Sequence, residues 1–295
     1  MRTALLVPYF GPLPVWWPLF VESVKYNPSY TFFLFTDQNV DHGADNLVVI
    51  PETFSNYCSK IGQLLNFDFN PKNPYKLCDA RPVFGHLHQE LIEGFDFYGY
   101  CDVDLIFGRI DDFMPENPTQ YRAISTHDRR TAGHFSIFKN VEKNRLAYHK
   151  IRNLQQLLTD HKHHGVDENH FSRIYYRHKS KPMWLRKLLF KFSWHTSRNY
   201  FKEQYTTPYT HNPWIAGSFE FPTEWYWKNG SITNNRDGNR EFMYLHFMSL
   251  KSARFYPYAK QAPWETVDNL VNIPTTAAKA GFRIDLQGFH TLDEK

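Results

Sequence analysis

The chain has 295 residues, of which 42% are hydrophobic and 22% charged, with 34 basic against 30 acidic residues and a formal charge of +4. That length and balance predict one large α/β domain, spanning 1–295, with a packed core, and they exclude general disorder. The mild basic bias suits an anionic small molecule or an anionic membrane surface and is too weak to argue for nucleic acid.

In chain order, residues 2–7 read as a buried strand. The apolar start MRTALLVPYFGPLPVWWPLF is broken by Pro8, Pro12 and Pro14 and has no small-residue cleavage site, so it reads as a core strand and not as a signal peptide. No apolar run reaches about 18 residues, so no membrane span is expected. Residues 15–26 predict a helix that stops before Asn27-Pro28, residues 31–36 a second buried strand ending at Asp37, and residues 46–50 a third. A helix over 52–65 follows. Strands alternating with helices point to a parallel sheet covered on both faces. Helical spacing of Val83, Phe84, Leu87, Leu91 and Ile92 predicts a helix that starts near Asp79, with Pro82 in its first turn, and stops at Gly94.

The strand FDFYGYCDVDLIFG (95–108) comes next, followed by strands over 121–126 and 134–138, a helix over 141–160, and a loop, HKHHGVDENHF (161–171), that opens a further helix. Residues 179–204 are basic and aromatic and read as helical. Glu224–Trp227 and Ser231–Thr233 flank Asn229-Gly230 as a hairpin, and residues 240–247 form a last strand. Cys58, Cys78 and Cys101 show no CxxC spacing and are odd in number, which predicts reduced, buried thiols in a cytosolic protein. An aromatic share of 18% allows a ring-rich core or rings lining a groove for sugars or bases.

Asp102 and Asp104 sit two residues apart at the end of a hydrophobic strand. If extended geometry persists, both point the same way. Two adjacent carboxylates repel unless a proton or a cation separates them. A hard divalent ion, Mg²⁺ or Mn²⁺, fits such oxygen ligands, especially with substrate phosphates completing the shell. In open α/β sheets such ligands sit beyond the carboxyl ends of strands. The plainer alternative is a DxD that merely forms a turn or an N-cap.

Four segments together carry a resemblance: VPYFG (7–11), NPYKLCDARPVFG (73–85), GYCDVDLIFG (99–108) and YLHFMSLK (244–251). They resemble GT-A type glycosyltransferases, nucleotide-sugar enzymes with a DxD metal site, and more closely a family of bacterial polysaccharide glycosyltransferases. The resemblance covers most of 1–140 and 224–251. It implies a Rossmann-like mixed sheet with flanking helices and a C-terminal β-hairpin excursion, a nucleotide-binding half over 1–110 and an acceptor-side half over 111–295. It implies that Asp102 and Asp104, with His246 as third ligand, hold Mn²⁺ or Mg²⁺ against the donor diphosphate. Lys251 would stand on the diphosphate, as in glycogenin-like enzymes. Pro8, Tyr9 and Phe10 would flank the base, Asp37 would meet uracil or ribose, and Lys76, Asp79 and Arg81 would serve phosphate or ribose. Asp102 would also reach the ribose.

On the acceptor side, Gly133 and His134 resemble an acceptor wall. Asp167 or Glu168 would bind acceptor hydroxyls or take the nucleophile's proton. The implied reaction moves a sugar from a UDP-linked donor, of the UDP-galactose type, to a glycan acceptor in capsule or lipopolysaccharide synthesis. Bland readings stay open beside these: His246 as a core histidine, Asp79, Asp167 and Glu168 as helix caps, Pro8–Gly11 as a hydrophobic turn. So do a sugar nucleotidyltransferase and a non-catalytic nucleotide- or glycan-binding protein on the same fold. Within 179–202, Lys181, Arg186, Lys187, Lys191 and Arg198 surround a stripe of Trp184, Leu185, Leu188, Leu189 and Phe192. Such a segment can lie on an anionic bilayer, which suits a lipid-linked acceptor at the inner face of the cytoplasmic membrane, or can simply pack on its own domain.

Overall fold

The computed structural model describes residues 1–40, 42–176, 181–182, 184–185, 198–204, 214–215, 217–218, 220–252, 260–265, 267 and 270–292. Eight short, strongly hydrophobic segments build most of the central sheet and its margin: β1 (Thr3–Pro8), β2 (Tyr30–Thr36), β3 (Leu47–Pro51), β4 (Phe97–Cys101), β5 (Leu105–Phe107), β6 (Ala123–Ser125), β7 (Phe135–Lys139) and β8 (Asn199–Phe201). Seven of them form one mixed sheet in the order β3-β2-β1-β4-β7-β6-β8. The run β3-β2-β1-β4 is parallel throughout, β7 is antiparallel to both β4 and β6, and β8 runs parallel to β6. The architecture is α/β with a mixed sheet and flanking helices.

β1, β2 and β4 are buried on both faces, which is why they read as continuous apolar runs without alternation. Leu5, Val7, Phe32, Leu34 and Phe97 face one core, where helix α1 (Trp17–Lys25) packs. Ala4, Leu6, Phe33, Phe35, Tyr98 and Tyr100 face the other, with helix α2 (Phe54–Leu65). Thr53 caps α2 by accepting the Asn56 N–H.

The C-terminal part adds β9 (Glu224–Lys228), β10 (Ser231–Asn234), β11 (Tyr244–His246), β12 (Phe282–Asp285) and β13 (Gly288–Thr291). The hairpin read at Asn229-Gly230 is present, with positive φ at both turn residues as this tight turn requires. It is the edge of a four-stranded sheet, β10-β9-β12-β13, so the excursion is larger than one hairpin. Trp227 anchors it to the main body, donating from its indole to the Phe107 carbonyl. β11 pairs antiparallel with β5. Of the strand read over 240–247, Tyr244–His246 forms the ladder with β5, while Phe242 leaves that ladder to donate its N–H to the Ile232 carbonyl of β10.

Three helices differ from their sequence reading. The helix read from Asp79 to Gly94 is instead a chain of short turns from Pro74 to Leu87, because Pro74 and Pro82 each restart the helix and Gly85 packs directly on the Tyr98 ring. The helix read over 141–160 breaks into three, the last starting after Asn153 in the left-handed region. In the segment read as helical over 179–204, Asn199–Phe201 forms β8, and most of the amphipathic stripe lies outside the described residues. No helix among the described residues is long and apolar enough to cross a membrane. All three cysteines are free, with Cys58 and Cys101 buried.

Candidate metal centre

β4 ends at Cys101, and the chain bends through Asp102–Asp104 before resuming as β5. Strand alternation therefore does not bring the two carboxylates together, contrary to the condition set by the sequence. Cross-strand pairing does. The Asp102 N–H donates to the His134 carbonyl at 3.0 Å, prolonging the β4–β7 pairing. The Phe247 N–H donates to the Asp104 carbonyl at 3.1 Å, prolonging the β5–β11 pairing in which His246 opposes Leu105. One ligand atom each from Asp102, Asp104 and His246 then lie within 4.8 Å of one another. The position is the carboxyl end of β4 beside β1. There the chain, having run outward through β2 and β3, crosses to the other side of β1, so this is a topological switch point.

The two acids are driven apart electrostatically. Burial opposes ionisation of Asp104, but His246 and Lys251 outweigh it and hold the carboxyl well below the usual range; Lys251 Nζ is 2.6 Å from Oδ2. Asp102 is raised, first by burial and then by the neighbouring Asp104 charge, with Arg81 acting against both. Among the described residues, no backbone amide donates to either carboxylate; their partners are Arg81, Lys251 and His246. Although the chain bends here, neither carboxylate bonds the backbone as a turn former or helix cap would. Two carboxylates and an imidazole fit a hard divalent cation, and Asp102, with 30% of its side chain exposed, leaves an open side.

Arg81 joins this trio to Asp167. It pairs with Asp102, donates from Nη1 to Asp167 Oδ2 at 2.8 Å, and lies over the Tyr100 ring. Burial alone would lower its guanidinium, but Asp102 and Asp167 hold it well above its ordinary value. Asp167 lies in the first turn of a π-helical segment, Val166–Phe171, and is 1% exposed. Burial pushes its carboxyl up to about 6 against the pull of Arg81. Glu168 accepts the Gly133 N–H at 3.1 Å and pairs with Arg130. A Cβ at Gly133 would stand 2.9 Å from Arg81 Nη1, 3.0 Å from Asp167 Oδ2 and 3.1 Å from Glu168 Oε1, so this cluster closes only around glycine. His134 is half-buried, its Nε2 2.7 Å from the Tyr244 hydroxyl and its ring 4.5 Å from that of His246. Burial keeps its imidazole neutral, well below the ordinary value.

Other sequence candidates fall differently. Lys76 is not free to reach a phosphate: it is 3% exposed and spends its three N–H groups on Asp79 and the carbonyls of Leu157 and Lys162. Asp79 is fully buried and accepts the N–H groups of His164 and Val166, so it caps the loop before the π-helical turn and not its own helix. Phe10 is turned into the core against Phe54 and Tyr57, which removes its ring from any base-stacking position. Tyr9 follows Pro8 at the end of β1 and donates to the Pro12 carbonyl; Asp37 accepts the Gly11 N–H and so ties the loops after β1 and β2 together. The sequence reading passed over Trp16, whose ring lies 5.3 Å from Lys251 Nζ and whose indole donates to the Val103 carbonyl, and Tyr244 and Arg130. Tyr244 was recoverable, since it lies two residues from His246 on the same strand face. Trp16 carried no local signal.

Residues 5–271 match the model of a family described as a family of unknown function (DUF6625). No curated protein matches the chain.

Proposed function

We propose that this chain, which belongs to DUF6625, a family of unknown function, is a metal-dependent glycosyltransferase of the GT-A type that moves a sugar from a nucleotide donor to a glycan acceptor. The observation that carries the reading is the convergence of Asp102, Asp104 and His246 at the β1/β4 switch point, with Lys251 and Arg81 as the only cations on the carboxylates among the described residues. A divalent ion bound by those three residues would supply a Lewis acid against the charge that builds on the departing nucleoside diphosphate.

Lys251 adds a point charge beside that position, and Arg81 fixes the distance between the metal ligands and Asp167. Asp167, dry and raised to about 6, is suited to accept a proton from an acceptor hydroxyl near neutral pH. Gly133 and Glu168 form the wall beside it. A UDP-linked donor of the galactose type and a lipid-linked polysaccharide acceptor complete the reading.

Titration calorimetry with UDP and Mn²⁺ tests it. Wild type is expected to bind UDP only with the metal, and Asp104→Ala to lose that binding. A wild type that ignores UDP, GDP and CDP alike in the presence of Mn²⁺ rejects the enzyme reading.

A further inference from the structure

A second feature lies outside the metal centre and does not depend on it. A cavity of about 560 Å³ opens between the segment before β6, the turns over 142–152 and the π-helical turn with the helix after it. Its rim carries Arg122, Lys143, Lys150, Arg152, His170 and Arg173. Ile151 and Ile174 provide an apolar wall, and no carboxylate lines it. Among the described residues, none of the five Lys and Arg side chains forms an ion pair with an acid. Arg122 is held in place from below, over the Tyr175 ring and donating to the Asn144 side chain.

Lys143, Lys150, Arg152 and Arg173 stand exposed and Arg122 half-buried on this concavity, whereas Arg81 and Lys76, both largely shielded from solvent, are paired with carboxylates. Five like charges gathered on one concavity repel each other unless an anion is shared between them. A cleft lined by one sign of charge focuses its field on the contents. Three of the five are arginines, whose planar forks match phosphate oxygens. The volume falls in the usual range for small-ligand sites, and one multiply charged group with an organic substituent against Ile151 and Ile174 fills such a space.

We propose that this cavity binds a multiply charged phosphate group, of the diphosphate class, carried on an organic moiety. The same π-helical turn sends Asp167 into the acid cluster and His170 into this cavity, so occupancy bears directly on the position of Asp167.

Calorimetry with inorganic pyrophosphate in EDTA tests the proposal without the metal centre. Wild type and Asp104→Ala are expected to bind equally. Arg152→Gln/Arg173→Gln, both at exposed positions, is expected to weaken binding at least about tenfold. A charge-matched control, Lys228→Gln/Lys279→Gln, is expected to leave it unchanged. Flotation with phosphatidylcholine vesicles containing phosphatidic acid separates the sources. Co-flotation lost in the Arg152/Arg173 variant identifies a lipid headgroup, and pyrophosphate binding without flotation identifies a soluble phosphate. Absence of binding in EDTA, or equal loss in variant and control, overturns the site. Because the metal centre is silent in EDTA, that failure is distinct from failure of the glycosyltransferase reading.

Discussion

Lys251 Nζ lies on Asp104 Oδ2, so a divalent ion held by Asp104 would compete with Lys251 for the charge of that carboxylate. Lys251→Met removes the competitor, so Mn²⁺ alone is expected to bind several-fold more tightly, while UDP at saturating Mn²⁺ binds more weakly because the diphosphate loses a point charge. Calorimetry in two stages reads both, and a fall in Mn²⁺ affinity would show that Lys251 supports the centre instead. Asp167 makes a second residue-level prediction. Its raised pKa means that the carboxylate form, which a base needs, is lost as pH falls through about 6. Turnover is expected to drop on that acid limb, and Asp167→Asn to remove nearly all activity at every pH. The sign for stability is opposite. Between the ordinary carboxylate value and about 6 the folded protein keeps a proton that the unfolded chain releases, so stability falls as pH rises through that window. Urea unfolding across the same range is expected to show that slope in wild type and not in Asp167→Asn.

At the scale of elements, the acid cluster depends on two backbone segments meeting without a side chain between them. Gly133→Ala places a methyl group within 3.1 Å of Arg81, Asp167 and Glu168 together. The variant is expected to keep UDP binding, which uses the other end of Arg81's reach, and to lose at least about tenfold in turnover because Asp167 is displaced. A donor-hydrolysis assay beside calorimetry separates the two effects. The π-helical turn is in turn held by Asp79, which accepts its leading N–H groups and pairs with Lys76 in a dry environment. Asp79→Ala leaves a buried ammonium group without its partner and is expected to cost about 3–5 kcal/mol in urea unfolding. A loss below about 1 kcal/mol would mean that the loop re-forms around water.

For the whole molecule, the candidate ligands come from two distant stretches of chain, the bend 102–104 between β4 and β5 and His246 in β11, so a bound ion would tie these elements together. A ligand that binds only the folded state stabilises it by about 2.7 kcal/mol at 100 times its Kd. For a domain of this size that is a rise in Tm of roughly 4 °C. Mn²⁺ is expected to produce that rise in wild type and none in Asp104→Ala, as read by scanning calorimetry. The two cores sit on opposite faces of one sheet, and the carboxyl edge of its parallel strands carries both the candidate metal ligands and the loops after β1 and β2. Their meeting at one edge is a consequence of strand order and not of any one loop.

Local chemistry alone determined the elements whose reasons are local. Runs such as TALLVP and YTFFLFT must be strands buried on both sides, since no other element hides so many branched and aromatic side chains in so few residues. Asn229-Gly230 must turn, because glycine and asparagine tolerate positive φ. The spacing of Asp102 and Asp104 marked the place where charge would have to be neutralised. What only the tertiary structure decided is which charges do it. A carboxylate two residues from another is indistinguishable in sequence from a helix cap, and a lysine flanked by tyrosine and leucine reads as a phosphate ligand until burial consumes its three N–H groups. Lys76 and Arg81 lie five residues apart with the same charge. One is closed off by carbonyls from the 157–162 segment, and the other reaches across to Asp102 and Asp167. That difference arises from contacts about 80 residues away along the chain, where local propensity has no reach.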